Sequence, residues 1–248
     1  MKKIIFFSLS ILLFSIFACV KSEVETIATT NFGYEYFPLK VGKYKVFQVD
    51  SILFDTIAGK VKVDSFRLFE KEVVLDTFVN QAGETVYRVE RFEKRNLKDA
   101  WLIKDVLAIQ RNAKQATRTD QGLRLVKMVF PIRKRQDWNS LLFIDAGMEV
   151  TIAGEPVEIF KNWDSETVDL DKSESINGKK FGKVLTISHA NDENKLELRK
   201  VTEKYVRDTG LVMNEMLILD TQSTSNNETW RKKAQRGFIY RQILIENN

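Results

Sequence analysis

From Tyr44 to Ile245 the chain alternates apolar and polar positions with a period of two, not 3.6. Successive side chains of a strand point to opposite faces, so this pattern predicts strands. Tyr44, Val46 and Ile52 share one parity, and Phe47, Val49 and Leu53 share the other. Phe66 to Phe69 opens a strand that continues through Val73, Val74 and Leu75. Asn80-Gln81-Ala82-Gly83-Glu84 is a Gly-containing hairpin loop, after which Tyr87 and Val89 alternate with Arg88 and Glu90. Trp101, Ile103, Leu107 and Ile109 share one parity and are expected on one face. Asp120-Gln121-Gly122 turns the chain into residues 123–130, and Asn177-Gly178 is a two-residue turn signal. Asn191 to Asn194 predicts another turn, and residues 211–219 and 238–245 form the last two strands around a polar loop. Prolines number only three, which suits uninterrupted ladders. No helix is predicted after residue 18. Nine or ten strands separated by turns predict an all-β fold, a single antiparallel β-barrel or sandwich-like domain. Phe37-Pro38 recurs as Phe130-Pro131, each followed by an aromatic, but the flanking segments do not align as a repeat.

The first residues obey a different pattern. Met1-Lys2-Lys3 is basic, residues 4–17 are a run of apolar and serine residues, and Ile16-Phe17-Ala18-Cys19 follows. A basic start, a 7–15-residue apolar stretch and a small residue before the cut define a secretory signal. A spanning helix needs about 20 apolar residues, more than this run supplies before Lys21 and Glu23. Ile16-Phe17-Ala18-Cys19 resembles the lipobox of bacterial lipoproteins. The resemblance implies cleavage after residue 18 and acylation of Cys19, the only cysteine. Two or more acyl chains anchor a protein stably where one does not. Val20 follows Cys19 where Asp would be an inner-membrane retention signal, so the outer membrane is the expected address, facing periplasm or cell surface. The expected organisation is a signal peptide over 1–18, a lipidated tether over 19–31 and an antiparallel β domain over 32–248.

The segment Tyr36-Phe37-Pro38-Leu39-Lys40-Val41-Gly42-Lys43-Tyr44, continued by Val49-Asp50-Ser51, resembles the opening of an uncharacterised family of β-rich bacterial outer-membrane lipoproteins. Phe130-Pro131-Ile132 with Trp138, and Tyr205 with Gly210-Leu211-Val212, resemble two later motifs of that family, although Arg135 stands where the family has glycine. The resemblance implies the fold and the address and carries no activity. Pro38 favours an extended backbone, Gly42 permits a tight turn, and Tyr44 and Phe47 are candidates to plug a barrel end.

Composition narrows the function. The chain carries 39 basic and 34 acidic residues, and losing Lys2 and Lys3 lowers the net charge from +5 to +3. So small a surplus, spread over many strands of an exported protein, argues against nucleic acid as a partner. With Cys19 acylated no disulfide can form, and one cysteine and one histidine supply no zinc site. His189, at a strand end, is expected to be partly exposed rather than part of a Ser-His-Asp triad. Asp169-Leu170-Asp171 opens like a calcium loop, but Glu174 and Lys180 stand where glycine and glutamate are required. Asp164 and Glu166 beside Trp163 are the carboxylates a two-carboxylate hydrolase would use. Trp101, Trp138, Trp163 and Trp230 could stack on sugar rings, though packing is their usual role. Arg133-Lys134-Arg135, and Arg231-Lys232-Lys233 with Arg236, read as solvated edges. Ser51 and Thr56, in Asp-Ser-Ile and Asp-Thr-Ile, fit a short bacterial O-glycosylation pattern. These features predict no catalytic residues, metal or cofactor. They predict a non-enzymatic envelope protein, held to the membrane by its lipid, that binds an envelope protein, an apolar ligand or a glycan. An apolar cavity, a coplanar row of tryptophans or a cleft with paired carboxylates would distinguish apolar-ligand binding, sugar binding and hydrolysis.

Overall fold

The computed structural model describes residues 32–225 and 227–248. The expected signal peptide, Cys19 and the tether lie outside them. Phe32–Asn248 forms one compact unit, and the chain is almost entirely β, as the alternation predicts. The strands are β1 (Tyr44–Ile57), β2 (Lys60–Val79), β3 (Thr85–Lys94), β4 (Leu102–Arg111), β5 (Gln115–Asp120), β6 (Leu123–Val129) and β7 (Asp137–Trp138). They continue as β8 (Glu149–Ile152), β9 (Glu155–Glu158), β10 (Ser165–Ile176), β11 (Lys179–Glu193), β12 (Glu197–Val206), β13 (Gly210–Asp220) and β14 (Arg236–Asn247). Tyr34–Tyr36 forms a 3-10 turn and Trp230–Lys233 a single α-helical turn.

Twelve strands form one antiparallel sheet in the order β6-β5-β4-β3-β2-β1-β14-β13-β12-β11-β10-β7, and β8 pairs with β9 in a separate two-stranded sheet. The sheet curls until its two ends meet. The Val126 amide on β6 donates to the Ser140 carbonyl at 2.9 Å, and Trp138 Nε1 donates to the Val126 carbonyl at 3.0 Å. The result is a nearly closed barrel, which protects an otherwise open edge.

The hairpins follow from turn chemistry. Asn177 and Gly178 have φ of 50° and 79°, the two positive values that a type I′ turn requires. Gln121 and Gly122 turn in the same way. The first hairpin differs from expectation: β2 starts at Lys60, after an Ala58-Gly59 turn, so the strand is longer than its apolar pattern. The turn expected over residues 191–194 moves to Asn194, whose side chain accepts the amides of Leu196 and Glu197, while β11 runs on to Glu193.

The expected common face of Trp101, Ile103, Leu107 and Ile109 is corrected by the register. Arg91 pairs with Asp105 but Phe92 pairs with Ile103, so Lys104 is an extra residue. Such a bulge reverses the facing of everything beyond it. Leu107 and Ile109 are buried while Ile103 is exposed.

The main core joins the two halves of the sheet. Val89, Leu107, Ile109, Met128, Leu185, Ile187 and Tyr205 pack together with Tyr36, Phe37 and Phe130. Burying each large apolar side chain contributes roughly 1.5–3 kcal/mol, the main source of stability where the sequence provides no disulfide.

Candidate functional site

The segment after the 3-10 turn covers one end of the barrel, where two arginines fasten it. Arg111 Nη1 donates to the carbonyls of Tyr34 and Phe37 at 3.0 and 2.8 Å. Arg207 pairs with Glu35 and with Asp171, and Tyr36 donates its hydroxyl to Asp171 at 2.6 Å. Of the two plug candidates, Phe47 is fully buried at this end while Tyr44 stands half-exposed with its hydroxyl on Glu246, and Tyr36 and Phe37 complete the cover.

Beneath this cover lies a cavity of about 260 Å³. Its walls are apolar: Phe37, Pro38, Leu39, Phe47, Val74, Val89, Ile109 and Leu211. Lys45, Glu72, Arg118 and Tyr205 are polar groups of its lining, and exposed Lys40, Lys43, Asp208, Asn247 and Asn248 border it as well. Arg118 holds Glu72 with both ends of its guanidinium, at 3.1 and 2.6 Å, and reaches Asp120 at 3.4 Å. Arg91 in turn pairs with Asp105 and Asp120. Burial opposes the charge on Glu72, but Arg118 overcomes it and holds the carboxyl below its usual range. Neighbouring Glu70 accepts from Gln242 Nε2 at 2.9 Å, and burial outweighs the pull of Arg91 and pushes it up to about 7.

A second polar array runs inward from Tyr205. Tyr205 donates its hydroxyl to Glu203 Oε2 at 2.6 Å, and Lys127 Nζ donates to Glu203 Oε1 at 2.5 Å. His189 Nε2 lies 3.1 Å from Glu203 Oε2, and His189 Nδ1 lies 2.9 Å from Ser165 Oγ, which is 2.7 Å from Ser140 Oγ. Burial opposes ionisation of Glu203, but Lys127 and His189 hold it well below the usual carboxylate range. Burial and Lys127 push the imidazole pKa down, against the pull of Glu203. The neutral ring then donates Nε2–H to Glu203, which leaves Nδ1 as an acceptor facing the Ser165 hydroxyl.

The expectation of a partly exposed His189 is overturned: the residue is 0% exposed. A bulge explains it. Ser188 pairs with Thr202 and Ala190 with Val201, so His189 is the extra residue, turned inward. Trp163 stacks on the imidazole at 5.4 Å and Trp138 meets it edge-on at 6.2 Å. Serine, histidine and carboxylate are therefore in contact, as in a hydrolase, but Ser165 is only 1% exposed. The array ties β6, β10, β11 and β12 together.

The other sequence candidates are scattered. Asp164 is exposed and Glu166 half-exposed along a shallow groove beside Trp163. The tryptophans form no row: Trp138 and Trp163 flank His189, Trp230 donates to Glu193, and Trp101 lies under Lys94. Arg236 pairs with Asp220, and Lys134 with Asp169. Ser51 is buried on β1, whereas Thr56 is exposed and donates to the Gln235 carbonyl. Among the described residues no three His, Cys, Asp or Glu side chains are grouped to hold a metal ion. Lys45, Lys127 and Glu203 were missed, yet two of the three carry a signal. Lys45 shares parity with Phe47, and Glu203 with Val201 and Tyr205, so charges stand at core-facing positions.

No family model and no curated protein matches the chain. Among solved structures it is similar to a putative lipoprotein from Parabacteroides distasonis ATCC 8503, at 11% identity and a TM-score of 0.32, over 88% of this chain and 99% of that one. It is also similar to a putative exported protein with YmcC-like fold from Bacteroides fragilis NCTC 9343, at 10% identity and a TM-score of 0.33, over 86% and 98% of the two chains.

Proposed function

We propose that this chain is an exported, lipid-anchored protein of the outer membrane whose barrel binds a small amphiphile and carries out no catalysis. The cavity beneath Phe37 and Leu39 carries this reading. Its apolar walls and few convergent polar groups are the features of a ligand site, and its volume is slightly below the ~300–1,000 Å³ of sites for larger molecules. The apolar cavity supports ligand binding, whereas Asp164 and Glu166 share only a shallow, solvent-exposed groove and the tryptophans form no row. The buried Ser165–His189–Glu203 array supports a structural role for the groups that otherwise resemble an active site.

Leu39 lies half-buried on the covering segment, so a larger side chain there can enter the cavity without disturbing a strand. Leu39→Trp is expected to weaken binding of an apolar fluorescent probe, such as a phenylnaphthylamine, at least tenfold while leaving the melting temperature nearly unchanged. Equal probe binding by both proteins would remove the cavity from consideration.

The lipobox-like segment supports the anchor, and Val20 supports the outer membrane. Cys19→Ser is expected to abolish labelling by radioactive palmitate and to shift the protein from the membrane fraction to a soluble form or an unprocessed precursor. Label retained by the variant would end the anchor proposal.

A further inference from the structure

We propose that the cavity takes a single-chain amphiphile by an anionic head group, with the Lys45 ammonium as its anchoring partner; the inference rests on the cavity reading above. Lys40 and Lys43, the other lysines of the lining, are exposed to solvent, and the two neighbouring arginines are already committed. Arg118 is held by Glu72 and Asp120, and Arg91 by Asp105 and Asp120. Lys45 stands opposite Glu72 in the β1–β2 register, yet its ammonium makes no ion pair or hydrogen bond among the described residues. Glu72 attracts the ammonium but is already held by Arg118, so Lys45 recovers little for the hydration it loses beside apolar walls.

Gly210 makes the room for it. Built on Gly210, a Cβ would lie 2.6 Å from Lys45 Nζ, so the missing side chain is the space that the ammonium occupies. Phe37, Leu39 and Leu211 border the same space and suit an acyl chain. Burial pushes the Lys45 pKa down to about 8, with Glu72 working against the shift, so the group is still mostly protonated at pH 7. An anion at Nζ would supply the missing partner, and charge-assisted hydrogen bonds of this kind are roughly twice as strong as neutral ones. The recognised chemistry is therefore one hydrocarbon chain ending in a carboxylate or phosphate.

The test uses the full chain carrying Cys19→Ser, so that no acyl group of its own competes. Decanoate, decyl phosphate and decanol are titrated calorimetrically at pH 7. Both anions are expected to bind at least about tenfold more tightly than decanol. Lys45→Met should abolish the preference, so that in this variant the two anions and decanol bind within about twofold of one another. Lys45→Arg should keep the preference, and Lys45→Gln carries the same test if Lys45→Met does not fold. Decanol bound as tightly as the anions, or a preference that survives Lys45→Met, would overturn the head-group inference while leaving the cavity reading intact. Failure of all three probes to bind would overturn both.

Discussion

Glu203→Gln is expected to lower the stability of the barrel by about 3–5 kcal/mol, the usual cost of leaving one member of a buried ion pair unpaired. The side chains of Lys127 and Glu203 are 9% and 4% exposed, so water does little to screen them. Glutamine has nearly the shape of glutamate but no charge. It leaves the Lys127 ammonium buried without an opposite charge and weakens the bonds from Tyr205 and His189. The double variant Lys127→Met with Glu203→Gln removes both charges and should recover much of the loss. Urea unfolding of wild type, the two single variants and the double variant measures this directly. Single losses under about 1 kcal/mol, adding simply in the double variant, would show that the pair holds nothing together. The pH dependence has a definite sign. Glu203 is depressed, so its contribution is present above the unfolded carboxyl range near about 4.3 and is lost as pH falls toward its folded value. His189 is also depressed, so its unfolded form takes up a proton below about 6.5 while the folded form resists, and stability again falls with acid. The Lys127–Glu203–His189 array is therefore expected to contribute less stability at pH 5 than at pH 8, whereas the raised carboxyl of Glu70 acts in the opposite sense.

The second large effect is predicted at Gly237. This residue sits on β14 between Leu219 of β13 and Phe54 of β1, with φ of 104°. A Cβ added there would lie 2.0 Å from the Ile218 carbonyl oxygen, which belongs to the backbone of a paired strand and has no room to retreat. Gly237→Ala combines a disfavoured dihedral with this clash. It should cost more than about 4 kcal/mol, in the range reserved for disruption of the fold. Soluble yield and far-UV circular dichroism are the measurements. Gly182→Ala is the control: Gly182 lies on β11 with nothing within 4 Å of an added Cβ, and its variant should fold normally. If both variants fold equally well, the packing of β13 on β14 described above is wrong.

The parts of this fold legible in the sequence are those set by neighbours along the chain. Asn177-Gly178 and Gln121-Gly122 announce their turns because only a few residues tolerate positive φ at both positions. The alternation announces strands because their side-chain period is two. What stays hidden comes from single-residue insertions and from distant pairing. Lys104 and His189 are extra residues whose partners lie on other strands, so no local pattern marks where the parity reverses. Ile103 and His189 were both misplaced for that reason. The meeting of Val126 with Trp138 and Ser140 likewise depends on the curl of the whole sheet, and so did the choice between barrel and sandwich. For the candidate site, the Phe37-Pro38-Leu39 cover was legible as a motif with a folding role. Its cavity was not, because the walls come from β1 to β5, β12 and β13 at once.

The pairing of β1 with β14 also sets the timetable of folding. A chain made from its N-terminus produces residues 44–57 early and residues 236–247 last, yet these two strands are neighbours in the middle of the sheet. Until the last strand arrives, β1 exposes one long edge and β13 another, and each is a template for unwanted pairing. Local hairpins can form as the chain emerges, but the barrel cannot close until nearly every residue is present. A chain of this topology spends its youth as two unjoined half-sheets, and any helper that shields strand edges would act during that interval.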